Sequence, residues 1–513
     1  MGTRSSSVVA ITLFGLALFA ARPASAAGAL PRSSPEAQGI SSADVLAFVK
    51  AADERIEGMH SIMLVRRGHV VAEGWWTPYD AASRHSLYSL TKSFTSTAVG
   101  LAIADGKLSL DDPVLAMFPD EAPAQPSDPL KAMRVRDLLS MSTGHHDEAP
   151  FRVEPNWVRS FLGHPVAHKP GTLFLYNTPA SNTLASIVQK AVGAGLLDYL
   201  RPRLFDPLGI EDPHWSLNPQ GVPTGGFGMS LRTEDIARFG QLYLQKGEWQ
   251  GQKLVPAAWV EAATSRQVSN GSKPESDWEQ GYGYQFWRCR NGAYRGDGAF
   301  GQFCVVLPRQ ETVVAITSGV KSMQAVLDVL WEKLLPALQA GTLPENAAAQ
   351  QQLQAALRGL TLTTPKAAQA PALKPQVTAR RYVFPANEQK LEWLSLERTG
   401  DAATLVVRMG GVEQRLALGN GEWRRGHFSH GAQAAGVEAL RDAGRESRPP
   451  VAASGAWTAR DTYTAKIAFY ETPFALTMTL RFGGDIVVLD SEYNVAFGPT
   501  KQPQLVGTAA TAR

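Results

Sequence analysis

Strand-like runs stand at both ends of the first two thirds of this chain, and helix-like runs fill the space between. Ile62-Met63-Leu64-Val65 and residues 70–76 read as two strands, joined by an Arg66-Arg67-Gly68-His69 turn. Residues 282–289, 293–298, 302–307 and 312–317 read as consecutive strands. Between the two groups, apolar spacing predicts helices over 94–104, 135–139, 183–192 and 233–244. Thr233 is an N-cap for the last of these, with Asp235 in its first turn. Residues 323–335 close the block as a helix that Pro336 ends. Strands at both ends of a helical middle predict one antiparallel sheet completed by both ends of the block, an α+β arrangement.

The composition then changes. Over 342–378 Ala, Gln, Pro and Leu dominate, predicting a partly helical stretch over 344–357 and a linker after it. Beyond it the chain is strand-rich: Leu405-Val406-Val407-Arg408-Met409, Leu476-Thr477-Met478-Thr479-Leu480 and Ile486-Val487-Val488-Leu489, with Gly483-Gly484-Asp485 as a hairpin turn. The expected organisation is a targeting segment at 1–26, a mixed block at 27–345, a linker at 346–378 and an all-β sandwich or barrel at 379–513.

Arg4, the apolar run 8–21 and Ala24-Ser25-Ala26 have the order of a secretory signal with its cleavage site. A periplasmic or secreted protein without stable membrane insertion after cleavage is expected, a retained anchor being the alternative. A net charge of +3 without long basic runs offers nothing to a nucleic acid. Export permits a disulfide between Cys289 and Cys304, and two buried thiols suit the same pattern.

The chemistry centres on Ser89-Leu90-Thr91-Lys92, at the head of the apolar helix. Residues three apart share a helix face, so the Lys92 amine lies one turn above the Ser89 hydroxyl. A serine needs a base to become a nucleophile, and a desolvated lysine is one. A second tetrad, Ser318-Gly319-Val320-Lys321, follows an apolar run and reads as a strand end. Tyr176 is the next candidate. A cation beside it favours the phenolate, so Tyr176 and Lys92 are expected to share one proton as a coupled base. Glycines in Tyr294-Arg295-Gly296-Asp297-Gly298-Ala299 let a strand approach the nucleophile closely, with the Ser89 and Ala299 N–H groups as oxyanion donors. Asn177, Thr178, Gly296, Asp297 and Gly298 are the expected groove residues.

Together these stretches resemble the serine β-lactamase and penicillin-binding-protein superfamily. The resemblance runs from about Pro35 to Leu338 and includes 106–113, 136–144, 204–210 and 232–240. It is strongest toward class C β-lactamases, their carboxylesterase relatives and 6-aminohexanoate-oligomer hydrolases. It implies a helical subdomain packed on an α/β sheet, acylation of Ser89, Lys92 with Tyr176 as base, and no metal or cofactor. Two positions depart from the pattern. Thr178 stands where the Tyr-x-Asn motif has its asparagine, and Gly296-Asp297-Gly298 stands where β-lactamases have Lys-Thr-Gly. The cation that would hold a β-lactam carboxylate is therefore missing, and Asp297 would repel a carboxylate or attract an amine.

The expected function is an exported serine hydrolase acting on a small-molecule ester or amide. The alternatives are a D-alanyl carboxypeptidase or class C-like β-lactamase, and a non-catalytic penicillin-recognition protein. His145, His146, His164 and His168 have poor spacing for a metal, with Pro165 interrupting the last pair, although His145 follows a loop that suits a groove. Trp287 and Phe286 are expected as core or groove wall. The oligomeric state is not legible at this level.

Overall fold

The computed structural model describes residues 2, 28–150, 154–368, 379–399, 402–429 and 448–510. The expected signal segment lies outside these residues, apart from Gly2.

A six-stranded antiparallel sheet has the order His69–Trp75, Met59–Arg66, Thr312–Ser318, Gln302–Leu307, Tyr294–Gly298, Trp287–Arg288. The first and last strands of the block are thus neighbours, with Ile62 opposite Ile316. Every residue of Met59–Arg66 is buried. Alternate side chains feed two cores, since successive strand residues point to opposite faces. Met63 and Val65 join Phe94, Leu184 and Phe239, while Ile62 and Leu64 join Phe48, Val49 and Leu327.

The helix Thr91–Ala104 runs through the first core, and its first twelve residues are all buried. Its hydroxyls are not stranded there. Ser93 Oγ donates to Gln285 O at 3.0 Å, Thr95 Oγ1 to Gly225 O at 2.8 Å and Ser96 Oγ to Tyr284 O at 2.7 Å. A buried hydroxyl demands a partner, so these residues fasten two flanking loops to the helix.

Two local expectations are corrected. Only Trp287–Arg288 of the expected strand 282–289 is extended. Gly283 N–H bonds back to Phe286 O, and Gln285 sits at φ 64° with its amide spent on Leu138 and Leu139 carbonyls. The stretch 346–378 does not begin as a linker. Asn346 caps the helix Ala347–Gly359, which packs on the helix Ser42–Arg55 and buries Leu353 and Leu357 in the second core with Leu360 and Leu362. The partly helical reading of 344–357 meets this helix, and it is the start of the linker that moves. Residues 369–378 lie outside the described residues.

The C-terminal part is one ten-stranded antiparallel sheet that curls almost into a barrel. Its two end strands, Val412–Leu418 and Arg424–His427, approach through reciprocal hydrogen bonds between Gln414 and Ser429. Leu394, Leu405, Ile467, Leu476 and Leu489 fill its interior. It is joined to the first block by a polar seam. Ser86 N–H donates to Glu471 O at 2.9 Å, Tyr79 Oη to Thr472 O at 3.1 Å and Asn494 Nδ2 to Gly319 O at 2.9 Å.

Candidate active site

The nucleophile candidate is set on a tight turn. Tyr88–Leu90 forms one 3-10 turn leading directly into the helix Thr91–Ala104. Tyr88 occupies the left-handed region at φ 48°, a conformation that costs a bulky residue energy and persists only where packing enforces it. The packing is aromatic: the Tyr88 ring meets Phe300, Phe474 and Phe497 with centroids 5.8, 6.4 and 5.5 Å away. Leu87, Tyr88, Leu90 and Lys92 are buried, whereas Ser89 is half-buried.

Lys92 Nζ donates to Ser89 Oγ at 3.1 Å and to Gly226 O at 2.8 Å, and lies 3.5 Å from Thr178 Oγ1. Burial dominates its titration and lowers its pKa to about 7, against a weaker upward pull from Glu148 and Asp297. Near neutral pH the amine is therefore often uncharged, which is what a base requires.

Tyr176 faces both groups. Lys92 Nζ stands 4.8 Å from its ring centroid, and the Ser89 hydroxyl is near enough to its phenol to weigh on its titration. The expected phenolate is corrected here. Burial, then the charge of Asp297, pushes the Tyr176 pKa well up, and the neighbouring Ser89 hydroxyl offsets only part of that. With Lys92 depressed and Tyr176 raised, the lysine is the group poised to accept a proton, and the phenol keeps its own. Trp287 stacks on Tyr176 at 5.3 Å and fixes its plane.

The strand Tyr294–Gly298 passes beside the turn. A Cβ on Gly298 would lie 1.9 Å from Leu87 O and 3.1 Å from Ser89 N, so only glycine permits this approach. Ala299 follows at once in the chain. A Cβ on Gly296 would lie 2.4 Å from Leu90 Cδ1 and 2.6 Å from Ser93 Oγ. Gly296 is therefore packing against the helix rather than groove wall, a correction to the expected set.

Asp297 is not the bare charge expected. Residues two apart on a strand share a face, and Arg295 donates Nε to Asp297 Oδ2 at 2.9 Å with Nη2 2.8 Å away. Both residues are buried, at 0% and 6% exposure of their side chains. Arg295 also lies 4.4 Å over the Trp278 ring and donates to Asp277 O at 2.8 Å.

Asn177 leaves the groove set as well. It is fully buried, accepts from Ala180 N–H at 3.1 Å as the cap of the helix Thr178–Val192, and donates to Thr143 Oγ1 at 3.4 Å. Thr178 remains, its hydroxyl toward Lys92 and its N–H donating to Glu148 Oε1 at 2.6 Å. His145 turns inward to Thr143 Oγ1 at 2.9 Å. Ser318 of the second tetrad is buried, donating to Phe300 O and Gly301 O. Cys289 and Cys304 are free buried thiols belonging to opposite cores.

Sequence reasoning missed Gly226 as the carbonyl that holds Lys92 and missed the Arg295–Asp297 pairing. No motif announces the first. The second was readable from the i, i+2 spacing.

The model of a family described as Beta-lactamase matches residues 45–334. The chain is 25% identical over 283 residues to a 6-aminohexanoate-dimer hydrolase of Paenarthrobacter ureafaciens, covering 50% of this chain and 72% of that one. It is 28% identical over 153 residues to a lovastatin esterase of Penicillium rubens, covering 25% of this chain and 38% of the other. A solved structure from Bacillus anthracis, provisionally described as a 6-aminohexanoate-dimer hydrolase, shares the fold. Its TM-score is 0.51 at 19% identity, over 62% of this chain and 89% of that one.

Proposed function

Because this chain belongs to the beta-lactamase family and is a serine hydrolase related to esterases and amidases, we propose that it cleaves a small ester or amide through an acyl-enzyme on Ser89. The observation that carries the reading is the buried Lys92 amine 3.1 Å from Ser89 Oγ, with its pKa lowered to about 7. Ser89 Oγ attacks the carbonyl carbon while Lys92 takes its proton. The carbonyl oxygen becomes an oxyanion between the Ser89 and Ala299 N–H groups. As the bond to the leaving group breaks, the neutral Tyr176 phenol gives that group a proton, and Lys92 restores the phenol. Water, deprotonated by the same lysine, then attacks the acyl-enzyme and releases the acid.

The site supports neutral substrates over β-lactams. The position equivalent to the β-lactamase lysine is Gly296, with no room for a side chain, and the nearby Arg295 is committed to Asp297. The same ion pair removes the basis for expecting a free amine on the substrate, since Arg295 answers the Asp297 charge.

Export is part of the proposal. It rests on Arg4, the apolar run 8–21 and Ala24-Ser25-Ala26. Among the described residues no helix is long and apolar enough to cross a membrane. The N-terminal sequence of protein recovered from an exporting host checks it, with a start near Ala27 expected.

The deciding experiment is hydrolysis of p-nitrophenyl acetate and nitrocefin by the wild type and Ser89→Ala. Ester turnover that vanishes in the variant, with slow nitrocefin turnover, is expected. Equal ester turnover in both proteins would remove Ser89 from the mechanism. Fast nitrocefin turnover would turn the substrate reading toward a β-lactamase.

A further inference from the structure

The C-terminal sheet places one large apolar side chain at the surface beside the nucleophile turn. Phe497 is 64% exposed, more than any other large hydrophobic residue singled out on the described surface. A single exposed apolar residue ordinarily calls for no explanation. The setting of this one is different. Its ring lies 5.5 Å from Tyr88, the residue before Ser89, and 4.7 Å from Phe300, the residue after Ala299. It thus touches the side chains next in sequence to the two proposed oxyanion donors.

Phe497 is also held in place. It sits in the connection between the strands Ile486–Tyr493 and Leu505–Ala509. At the head of that connection Asn494 makes three bonds: Nδ2 donates to Gly319 O and to Pro473 O, each at 2.9 Å, and Oδ1 accepts from Ala475 N–H at 2.7 Å. Tyr493 N–H closes on Thr500 O at 3.0 Å. The loop is therefore tied to the catalytic block at one end and closed on itself. Around Phe497 the described ring neighbours are Tyr88 and Phe300, and Phe474 completes the cluster 5.6 Å from Phe300.

We propose that Phe497 is the outer wall of an acyl-chain subsite, so that the C-terminal domain selects esters whose acyl group is apolar, uncharged and longer than acetyl. The inference rests on the acyl-enzyme reading of Ser89. An acyl chain whose carbonyl oxygen points at Ala299 N–H leaves the reacting carbon along the Ala299-Phe300 turn. A short chain ends before Phe497, whereas a longer one lies across it and buries apolar surface of both partners. Binding energy gained that far from the carbonyl separates substrates by chain length.

The test compares kcat/KM for p-nitrophenyl acetate, butyrate, hexanoate and octanoate in the wild type, Phe497→Ala, Phe497→Leu and Ser89→Ala. Phe497 also packs on Tyr88, so the melting temperature is recorded alongside, and the readout is the ratio between substrates within each variant, which a general disturbance of the turn leaves unchanged. The expected result is an octanoate-to-acetate ratio about tenfold lower in Phe497→Ala than in the wild type, equivalent to about 1.4 kcal/mol. Phe497→Leu should recover part of it. Parallel chain-length profiles in the wild type and Phe497→Ala would overturn the inference while leaving Ser89 chemistry standing. Ester turnover unaffected by Ser89→Ala would instead overturn the reading beneath it.

Discussion

Arg295 and Asp297 form a buried ion pair on one face of the strand that flanks the Ser89 turn, with Arg295 Nε 2.9 Å from Asp297 Oδ2. Burial raises the Asp297 carboxyl above its usual range, and Arg295 is the strongest influence pulling it back. The pair places two charges beside Tyr176 and Lys92 without offering either to a ligand.

Removing one partner should therefore be worse than removing both. Arg295→Met leaves a carboxyl buried without its cation, at a cost of roughly 3–5 kcal/mol, whereas the double variant Arg295→Met/Asp297→Leu should recover much of that loss. Urea unfolding of the wild type and of the two variants measures it. A double variant no more stable than the single one would show that the pair is not the dominant interaction at this position.

The titration of Lys92 predicts the acid limb of the activity. In the proposed mechanism the amine accepts a proton from Ser89, which it does only when neutral. Its pKa lies near 7, so kcat/KM should rise with pH through about 7 and level off above. Tyr176, with its pKa pushed up, stays protonated across that range and adds no limb of its own. Lys92→Arg keeps a charge at every accessible pH and should cost about two to four orders of magnitude in rate. A pH–rate profile that is flat from pH 5.5 to 8.5 in the wild type would sink the assignment of Lys92 as base.

A second buried pair lies in the seam between the two parts of the chain. His60 Nδ1 and His85 Nε2 are 3.0 Å apart, and His85 Nδ1 lies 3.0 Å from Ser86 O. A carbonyl only accepts, so His85 carries its proton on Nδ1 and its Nε2 accepts from His60. Burial lowers the His85 pKa from 6.5 to about 4, and burial together with the neighbouring His85 lowers that of His60. The unfolded chain therefore binds protons first as the pH falls. Stability is full above about 6.5 and is lost progressively toward 4, at about 1.4 kcal/mol per pH unit for each histidine. The loss attributable to His85 is on the order of 3 kcal/mol across that window. Unfolding midpoints at pH 7 and pH 5 check it: His85→Gln should flatten the dependence, and an unchanged slope in that variant would count against the pair.

The architecture of the catalytic block was legible because its strands and helices carry their own periodicity. The helix Thr233–Leu244 and the strand Gln302–Leu307 fall on the residues expected, but the cap is corrected: Arg232 is the N-cap, its N–H donating to Asp235, while the Thr233 hydroxyl donates to Ser61 Oγ. Residues 282–289 misled for a physical reason. Their aromatic content suits a strand, but Gly283 and the left-handed Gln285 fold the segment back on itself.

For the site, sequence alone determined that Ser89 and Lys92 face one another, because a helical turn sets that distance locally. Tertiary structure decided everything that depends on what lies across the chain. It supplied Gly226 O to hold the Lys92 amine and buried Tyr176 so that it keeps its proton. It turned Asn177 inward toward Thr143 and laid Arg295 over Trp278. It also brought Phe474 and Phe497 from the far end of the chain onto Tyr88. Spacing reports which residue types share a face, but proton affinity and accessibility depend on desolvation and on partners hundreds of residues away, and those exist only once the chain has folded.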